Sequence, residues 1–201
     1  MTSPEELLRR KLLAAAFQMP AAQTMVSRKS SITNAFVNAL IPVIEPTHEE
    51  IEEALRIFGM VPPDVSCVYC GDKMTEWDHL RPIVSKQRPT GYISEIANLV
   101  PACGKCNQSK GNSPWQKWML SKTAKHSPTA RGKPDVAERI ARLEAYEQWR
   151  LPTRINVEAI IGKEEWDAYW KLWEKVNADL RQCQDVANTL RAKIESSLSR
   201  G

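Results

Sequence analysis

No stretch of the 201-residue sequence approaches the ~20 consecutive apolar residues that a membrane-spanning helix needs. The N-terminus carries acidic residues early and lacks an uninterrupted apolar stretch before a small-residue cleavage site, so no secretory signal is expected. Internal repeats and low-complexity tracts are also absent from the sequence. These absences predict a cytoplasmic protein that does not associate with membranes.

Acidic residues are missing from one long window, Ile96 to Pro134, although the whole chain holds 24 Asp and Glu against 28 Lys and Arg. The net charge of +4 is too small to indicate nucleic-acid binding by itself. An acid-free window of this length, however, creates a local positive field that attracts phosphates. A solvated basic surface without a ligand is the alternative explanation. The basic residues of the window are Lys105, Lys110, Lys117, Lys122, Lys125, Arg131 and Lys133.

Helical signals dominate the sequence on both sides of its centre. Ser3, Pro4 and Glu6 predict the start of a helix, as N-cap, first-turn proline and capping-box partner. The apolar face of this helix is expected to continue to Met19, just before Pro20. Further helices are predicted over residues 31–41, 47–58, 135–149 and 163–198.

A stiff break at residues 61–64, VPPD, separates the helical start of the chain from a segment of different character. This break and later changes in composition divide the chain into four predicted regions. These are a helical N-terminal region at 1–62, a central module at 63–121, a mobile basic linker at 122–134 and a helical C-terminal region at 135–201. Within the central module the pattern predicts several short elements. These are a strand pair or irregular hairpin over 75–84, a loop over 87–91, a strand over 98–102, and one helix or a broken pair from Gly104 to Met119.

An apolar stripe from Tyr169 to Ile194 advances in alternating steps of three and four residues, which is coiled-coil spacing. The stripe predicts either pairing with a second copy in a homodimer or packing on the N-terminal helices. Cys183 lies on this stripe and is expected to be a buried small hydrophobic residue. Three tryptophans of the central module are expected to pack in its core rather than to stack on bases: Trp77, Trp115 and Trp118.

Four of the five cysteines form two pairs with two residues between the members of each pair. In a reducing cytoplasm such pairs are typical of metal ligands rather than disulfides. Two pairs complete a tetrahedral four-sulfur site, which suits a structural zinc ion and leaves no open position for substrate. The predicted ligands of Zn²⁺ are Cys67, Cys70, Cys103 and Cys106.

Polar residues suited to phosphodiester hydrolysis lie between and beside the cysteine pairs. This reaction needs an activated water, a cation on the developing charge and a held phosphate. An unperturbed imidazole is largely neutral near pH 7, which makes His79 the candidate general base. Asp78 precedes it directly, and adjacent side chains of a strand point to opposite faces unless the backbone twists.

The strings CVYC, WDHLRPIV and NLVPACGKCNQSKG, between Cys67 and Gly111, resemble the HNH endonuclease family in its zinc-containing four-cysteine subgroup. The resemblance implies a small zinc-stapled ββα-metal module within a mostly α-helical protein that has helical flanks at both ends. It also implies hydrolysis of double-stranded DNA. The residues outside this segment match no family that we can name from sequence.

The resemblance assigns roles to individual residues. It implies that Asp78 and Asn107 hold a catalytic Mg²⁺ or Mn²⁺ ion beside His79, and that Asn98 ties the two strands together and fixes the ring of His79. Family members carry His or Asn at the third position, and Asn107 gives an all-oxygen ligand pair that favours magnesium. Lys110 is expected to contact a phosphate, and other DNA contacts are expected from Arg81, Lys105 and Lys117.

A restriction-type endonuclease that acts as a homodimer is the preferred prediction, because one HNH unit cuts one strand and the helical flanks exceed what catalysis requires. A nicking, homing or phage-type HNH nuclease is the first alternative. A non-catalytic zinc-ribbon DNA-binding protein is the second, although it has no need for Asp78, His79 and Asn107 at these positions.

Overall fold

The computed structural model describes residues 3–17, 19–20 and 22–199. Two compact units make up the chain: Met1–Lys29 with Val176–Gly201, and Ser30–Lys175. The second unit includes residues from all four regions expected from sequence, so that division into regions stays a prediction. Across the described ranges, none of the helices combines the length and hydrophobicity that a bilayer crossing requires.

Helix α1, Pro4–Ala16, belongs to the first unit and begins as predicted, since the Glu6 N–H donates to Ser3 Oγ at 3.2 Å. The helix ends earlier than expected, because Phe17 adopts an extended conformation with φ −135° and ψ 107°. Met19 therefore lies beyond the helix rather than on its apolar face.

The second part of the first unit is the C-terminal portion of a long helix that spans Lys163–Leu198. Its buried residues in this portion are Asn177 and Gln184, one heptad apart, and Gln184 accepts a hydrogen bond from the Met25 N–H. Cys183 lies beside this polar face and is exposed, so the expectation that it is buried was wrong. The apolar residues Leu190 and Ile194 are exposed as well.

The second unit begins at Ser30, within α2, Lys29–Leu40, and continues with α3, His48–Phe58. Helix α3 has the predicted capping box, in which the Thr47 side chain and the Glu50 side chain satisfy each other's backbone N–H. It ends at Gly59, whose φ of +66° is the left-handed conformation that glycine adopts without steric cost.

Two short sheets follow α3. Strand β1, Glu76–His79, pairs antiparallel with β4, Leu99–Ala102, so the predicted strand over 98–102 is confirmed. The predicted hairpin within 75–84 was wrong, because β1 finds its partner 20 residues further along the chain rather than in an adjacent segment. A separate small hairpin of β2, Val84–Ser85, and β3, Arg88–Pro89, occupies part of the predicted loop.

The predicted broken pair of helices is present as α4, Gly104–Lys110, and α5, Trp115–Met119. Residues 122–134 then differ from the mobile linker that was expected. Ser127 and Pro128 are buried, and Arg131 and Lys133 form ion pairs with Asp72. Three helices complete the chain: α6, Val136–Trp149, α7, Val157–Ile161, and α8, Lys163–Leu198.

Two hydrophobic clusters hold the second unit together. The larger joins α3, the cysteine segment, β4, α5 and α6, and it buries Trp115 and Trp118 as predicted. Trp77 is instead 53% exposed, because alternate residues of β1 face opposite ways and the inward position belongs to Asp78. The smaller cluster packs Val37 of α2 and Ile41, which follows that helix, against residues that include Trp170 of α8. The expected fold class, mostly α with a small ββα module, is confirmed.

Candidate active site and metal centre

The four paired cysteines converge in one buried cluster, as the spacing predicts. Each offers a sulfur, and all four sulfurs lie within 4.8 Å of one another. The Sγ atoms of Cys70 and Cys103 are 3.7 Å apart. A tetrahedral site with Zn–S distances of about 2.3 Å places its sulfurs roughly 3.8 Å apart, so the cluster has the dimensions of a zinc site.

Tight backbone turns bring the sulfurs of the first pair together. The Gly71 N–H donates to the Cys67 carbonyl at 2.8 Å, and the Cys67 N–H donates to the Asp72 carbonyl at 2.8 Å. Gly71 has φ +75°, and a Cβ at this position would lie 2.4 Å from Nη2 of Arg139. Arg139 itself donates to the carbonyls of Cys67 and Val68. Glycine is therefore favoured here by conformation, and a larger residue would also displace the Arg139 guanidinium.

The chemistry of the donor set also fits a divalent cation. Hydrogen bonds with Cys67 and Cys70, together with burial, raise the pKa of the Cys106 thiol. Four adjacent thiols do not all ionise without a compensating positive charge, and a soft divalent ion supplies that charge. Within the described residues no fifth His, Cys, Asp or Glu belongs to the cluster, as befits a closed structural site.

Asp78 lies beside this cluster, in the middle of β1, and is 5% exposed. The Tyr69 hydroxyl, which belongs to the turn between Cys67 and Cys70, donates to Asp78 Oδ2 at 2.7 Å. Lys110 Nζ lies 3.0 Å from the same oxygen and 3.2 Å from Oδ1. Burial raises the pKa of Asp78 above its ordinary value, although the Lys110 charge and the Tyr69 hydrogen bond oppose that shift.

Lys110 does not occupy the position expected of a phosphate ligand. The residue is 1% exposed, and its ammonium donates to the carbonyls of His79 at 2.9 Å and Gly111 at 3.3 Å as well as to Asp78. The helical register of α4 turns this side chain inward, where the carboxylate and two carbonyls replace water. Lys110 therefore holds the Asp78 carboxylate in position. The expectation that Lys110 contacts a substrate phosphate does not fit this buried geometry.

Removing the Lys110 ammonium is expected to destabilise the fold strongly. Lys110→Met leaves the Asp78 carboxylate buried without its cation, and breaking a buried pair in this way typically costs about 3–5 kcal/mol. Urea titration followed by tryptophan fluorescence measures this loss in the free energy of unfolding. Lys105→Met is the matched control, since Lys105 lies on the same helix but is exposed. Equal stability of the two variants contradicts the positioning role.

His79 ends β1 with a half-buried ring. Its Nε2 makes a 2.8 Å hydrogen bond with Ser94 Oγ, and Ser94 is fixed through its backbone by Pro42 and Ile44. Burial, followed by the charge of Lys110, lowers the pKa of His79 to about 4. The ring is therefore neutral at physiological pH, as a general base requires. Sequence analysis missed Ser94, because a lone serine in a loop carries no chemical signal.

Asn98 is fully buried, and its side chain joins the segment after β1 to the segment before β4. Its Oδ1 accepts from the Arg81 N–H at 2.7 Å, and its Nδ2 donates to the carbonyls of Arg81 and Ile93. The Leu80 N–H donates in turn to the Asn98 carbonyl at 2.8 Å. The other expected task of Asn98, holding the ring of His79, belongs to Ser94 instead, since the Asn98 amide is used by the backbone.

Asp78, His79 and Asn107 all line one surface cleft of about 280 Å³. Asn107 enters from the first turn of α4, and β1 contributes the other two. The pairing of β1 with β4 fixes the position of β1. The cysteine cluster includes a residue from the first turn of α4 and fixes the position of that helix, so β1 and α4 both reach the cleft. The remaining lining residues are Asn34, Asn38, Pro82, Ile83, Val84, Gln108, Gly111 and Asn112.

The residues expected to bind DNA fall into two groups. Arg81 forms an ion pair with Glu147 at 2.6 Å, so its charge is already neutralised within the fold. Lys105 and Lys117 are exposed on α4 and α5. Acidic residues outside the acid-free window form ion pairs with three of its basic residues: Lys110, Arg131 and Lys133. These pairs reduce the net positive charge that the window presents to a ligand.

Comparison with known proteins agrees with this geometry. Residues 67–113 match the model of the family described as HNH endonuclease. The chain is also similar to CRISPR-associated endonuclease Cas9 of Corynebacterium diphtheriae, with 41% identity over 56 residues. This match covers 26% of the present chain and 5% of the Cas9 protein, so the chain spans a small part of its relative's length. No solved structure matches the chain.

The matched segment contains both the cysteine cluster and the three polar residues of β1 and α4 that line the cleft. Residues 67–113 of the chain therefore form a segment that matches the HNH endonuclease domain. The resemblance recognised from sequence is confirmed. Helices α1, α2, α3, α5, α6, α7 and α8 lie outside the family match.

Proposed function

We propose that this protein hydrolyses phosphodiester bonds of double-stranded DNA, with His79 as general base and one Mg²⁺ or Mn²⁺ ion held by Asp78 and Asn107. The observation that carries the proposal is the cleft shared by these three residues, beside a cluster of four buried cysteines. Zinc at Cys67, Cys70, Cys103 and Cys106 is the structural ion of this proposal.

In the proposed reaction the ring of His79 takes a proton from a water molecule. Its Nε2 is held by Ser94, which leaves Nδ1 to accept that proton. The water oxygen forms a bond to phosphorus as the bond from phosphorus to the 3′-oxygen breaks. The departing oxygen then takes a proton from solvent, so the products carry 5′-phosphate and 3′-hydroxyl ends. The low pKa of His79 keeps its ring neutral and ready for the first transfer.

The donor atoms of the cleft suit a hard cation. Asp78 and Asn107 offer oxygen ligands, which favour Mg²⁺ or Mn²⁺ over softer metals. When bound, such an ion supplies stabilisation of negative charge that develops on the phosphate and the leaving oxygen. Lys110 reaches both oxygens of the Asp78 carboxylate and Tyr69 donates to Oδ2, and these contacts orient the carboxylate. Since Lys110 neutralises Asp78, we expect weak metal binding until substrate phosphate adds its own charge.

Exposed lysines are the proposed contacts for the flanking phosphates. Lys105, Lys117, Lys122 and Lys125 are all exposed within the acid-free window. Their positive field attracts a polyanion and makes its binding dependent on salt. Arg81 is a weaker candidate than the sequence implied, because Glu147 already neutralises it.

Among HNH endonucleases we favour a cytoplasmic restriction-type enzyme that acts as a homodimer. The exposed apolar residues Val176, Leu190 and Ile194 of the C-terminal helix support a pairing surface. Two copies bring two clefts, which is what cutting both strands of a duplex requires. A nicking, homing or phage-type nuclease is the alternative with the same chemistry.

Incubation of the purified protein with supercoiled plasmid and Mg²⁺ tests the proposal. We expect cleavage that stops on addition of EDTA and resumes when Mg²⁺ is restored. Zinc content is measured in the same samples, so that loss of structural zinc is not mistaken for loss of the catalytic ion. Discrete linear fragments support the restriction type, and nicked circles alone support the nicking alternative. An unchanged plasmid that the protein nevertheless binds indicates a zinc-ribbon DNA-binding protein and contradicts the proposal.

A further inference from the structure

One wall of the catalytic cleft comes from outside the HNH domain. Helix α2 contributes Asn34 and Asn38, which lie one helical turn apart and both line the cleft with Asp78, His79 and Asn107. Both asparagines are exposed. The family match begins at residue 67, so neither asparagine belongs to the segment that defines the domain.

Helix α2 is held firmly against the rest of its compact unit. Its buried residues Thr33 and Val37 face α8, where the Trp173 indole donates to Thr33 Oγ1 at 3.1 Å. The Tyr169 hydroxyl donates to the Phe36 carbonyl at 2.9 Å, and the rings of Phe36 and Tyr169 lie 5.2 Å apart. The same cluster includes Ile83 and Val84, which themselves line the cleft. These contacts fix the direction in which Asn34 and Asn38 point.

The two amides have free hydrogen-bonding capacity. Within the described part of the chain, the side chain of Asn34 makes no hydrogen bond. The Asn38 amide donates to the Asn34 carbonyl at 2.8 Å, which leaves its oxygen and its second N–H available. The other exposed positions of α2 hold alanine or serine, and those positions do not line the cleft.

We propose that Asn34 and Asn38 bind the sugar–phosphate backbone of the DNA strand in the cleft, next to the phosphate that is cut. The inference rests on the proposed function. Uncharged amides donate to phosphate and sugar oxygens and fix the register of a strand without reading its sequence. The small cleft that they share with His79 places them near the reacting phosphate rather than along the base edges of the duplex.

Kinetics of plasmid cleavage by Asn34→Ala/Asn38→Ala test this inference. Loss of the two contacts is expected to raise KM about tenfold, while kcat changes by less than about threefold. In a His79→Ala background, which binds without cutting, the Kd for a labelled duplex that contains the cut site is expected to rise by the same factor. The substitution should preserve the fold, because alanine is a better helix former than asparagine.

Two further variants separate direct contact from indirect effects. Asn34→Asp/Asn38→Asp places carboxylates where phosphate is proposed to bind, and should weaken binding more than alanine does. Adding Ala35→Asn and Ala39→Asn to the alanine pair restores the composition but turns the amides away from the cleft, so it should not rescue KM. Ala35→Asn/Ala39→Asn alone serves as the control with unchanged kinetics.

The outcomes distinguish this inference from the function on which it rests. If the unaltered protein does not cut plasmid, both are overturned. If it cuts, and neither the alanine pair nor the aspartate pair changes KM or Kd by more than twofold, only the role of Asn34 and Asn38 is overturned. If the added Ala35→Asn and Ala39→Asn substitutions restore the KM of the alanine pair, a contact made inside the cleft is contradicted as well.

Discussion

His79→Ala is expected to slow DNA cleavage by roughly 10²–10⁴-fold, which is the usual contribution of a positioned general base. The physical reason is that His79 is the only histidine that lines the cleft of the described structure, and its lowered pKa of about 4 keeps it neutral. Single-turnover nicking of supercoiled plasmid at saturating protein measures this loss directly, because it isolates the chemical step from binding and product release.

Ser94→Ala provides the graded comparison for His79→Ala. This variant keeps the imidazole but removes the hydroxyl that holds Nε2 at 2.8 Å, so a smaller loss of rate is expected. Zinc content and circular dichroism should match those of the unaltered protein for both variants. Cleavage by His79→Ala at more than a tenth of the normal rate removes His79 from the proposed role.

Cys106→Ser is expected to abolish zinc binding and to unfold the HNH domain. Structural zinc contributes about 10–16 kcal/mol in small zinc peptides, more than the 5–15 kcal/mol by which a typical domain is stable. The affected region has two strands of four residues each and short helices, so little else can replace the ion. Bound zinc per chain and the near-ultraviolet circular dichroism of the buried Trp115 and Trp118 report the loss.

Cys183→Ser is the matched control, since this cysteine is exposed on α8 and lies outside the cluster. It should keep one zinc ion per chain and the normal spectrum. The Cys106 variant should also lose cleavage, because Tyr69, in the turn between Cys67 and Cys70, holds the carboxylate of Asp78. A folded and active Cys106→Ser protein contradicts a structural role for the cluster.

The parts of the fold that sequence predicted best are those with a local chemical signature. The two cysteine pairs have the spacing of metal ligands, and all four sulfurs lie in one buried cluster. The capping box at Thr47 and Glu50 also marked the start of α3 correctly. It is a local signal, because its hydrogen bonds join residues that are three positions apart. The Asp78–His79 pair and Asn107 were recognised from a family pattern, and they share a cleft.

Several failures concern the way residues are packed in the fold rather than their local pattern. Lys110 has the composition of a solvent-exposed helix residue, and its burial depends on a carboxylate 32 positions earlier. Cys183 was misplaced because the buried face of α8 near it is polar, with Gln184 inward. Trp77 is exposed because the inward position of its strand belongs to Asp78.

The contribution of α2 to the cleft could not have been predicted either. Its two asparagines carry no pattern by themselves, and their role depends on how the helix packs against α8 and the β2 region. Ser94 is a similar case, because only the fold brings its hydroxyl to the ring of His79. Sequence therefore picked out three residues that line the cleft, but not the helix that forms one of its walls.

Anomalous diffraction from crystals of the His79→Ala protein, grown with duplex DNA and Mn²⁺, tests the central claim most directly. The prediction is one manganese peak within bonding distance of an Asp78 carboxylate oxygen and the Asn107 side-chain oxygen, with a phosphate of the duplex beside it. A zinc-edge peak should appear separately among the four cysteine sulfurs. Manganese bound elsewhere, or DNA that bypasses the cleft altogether, contradicts the claim.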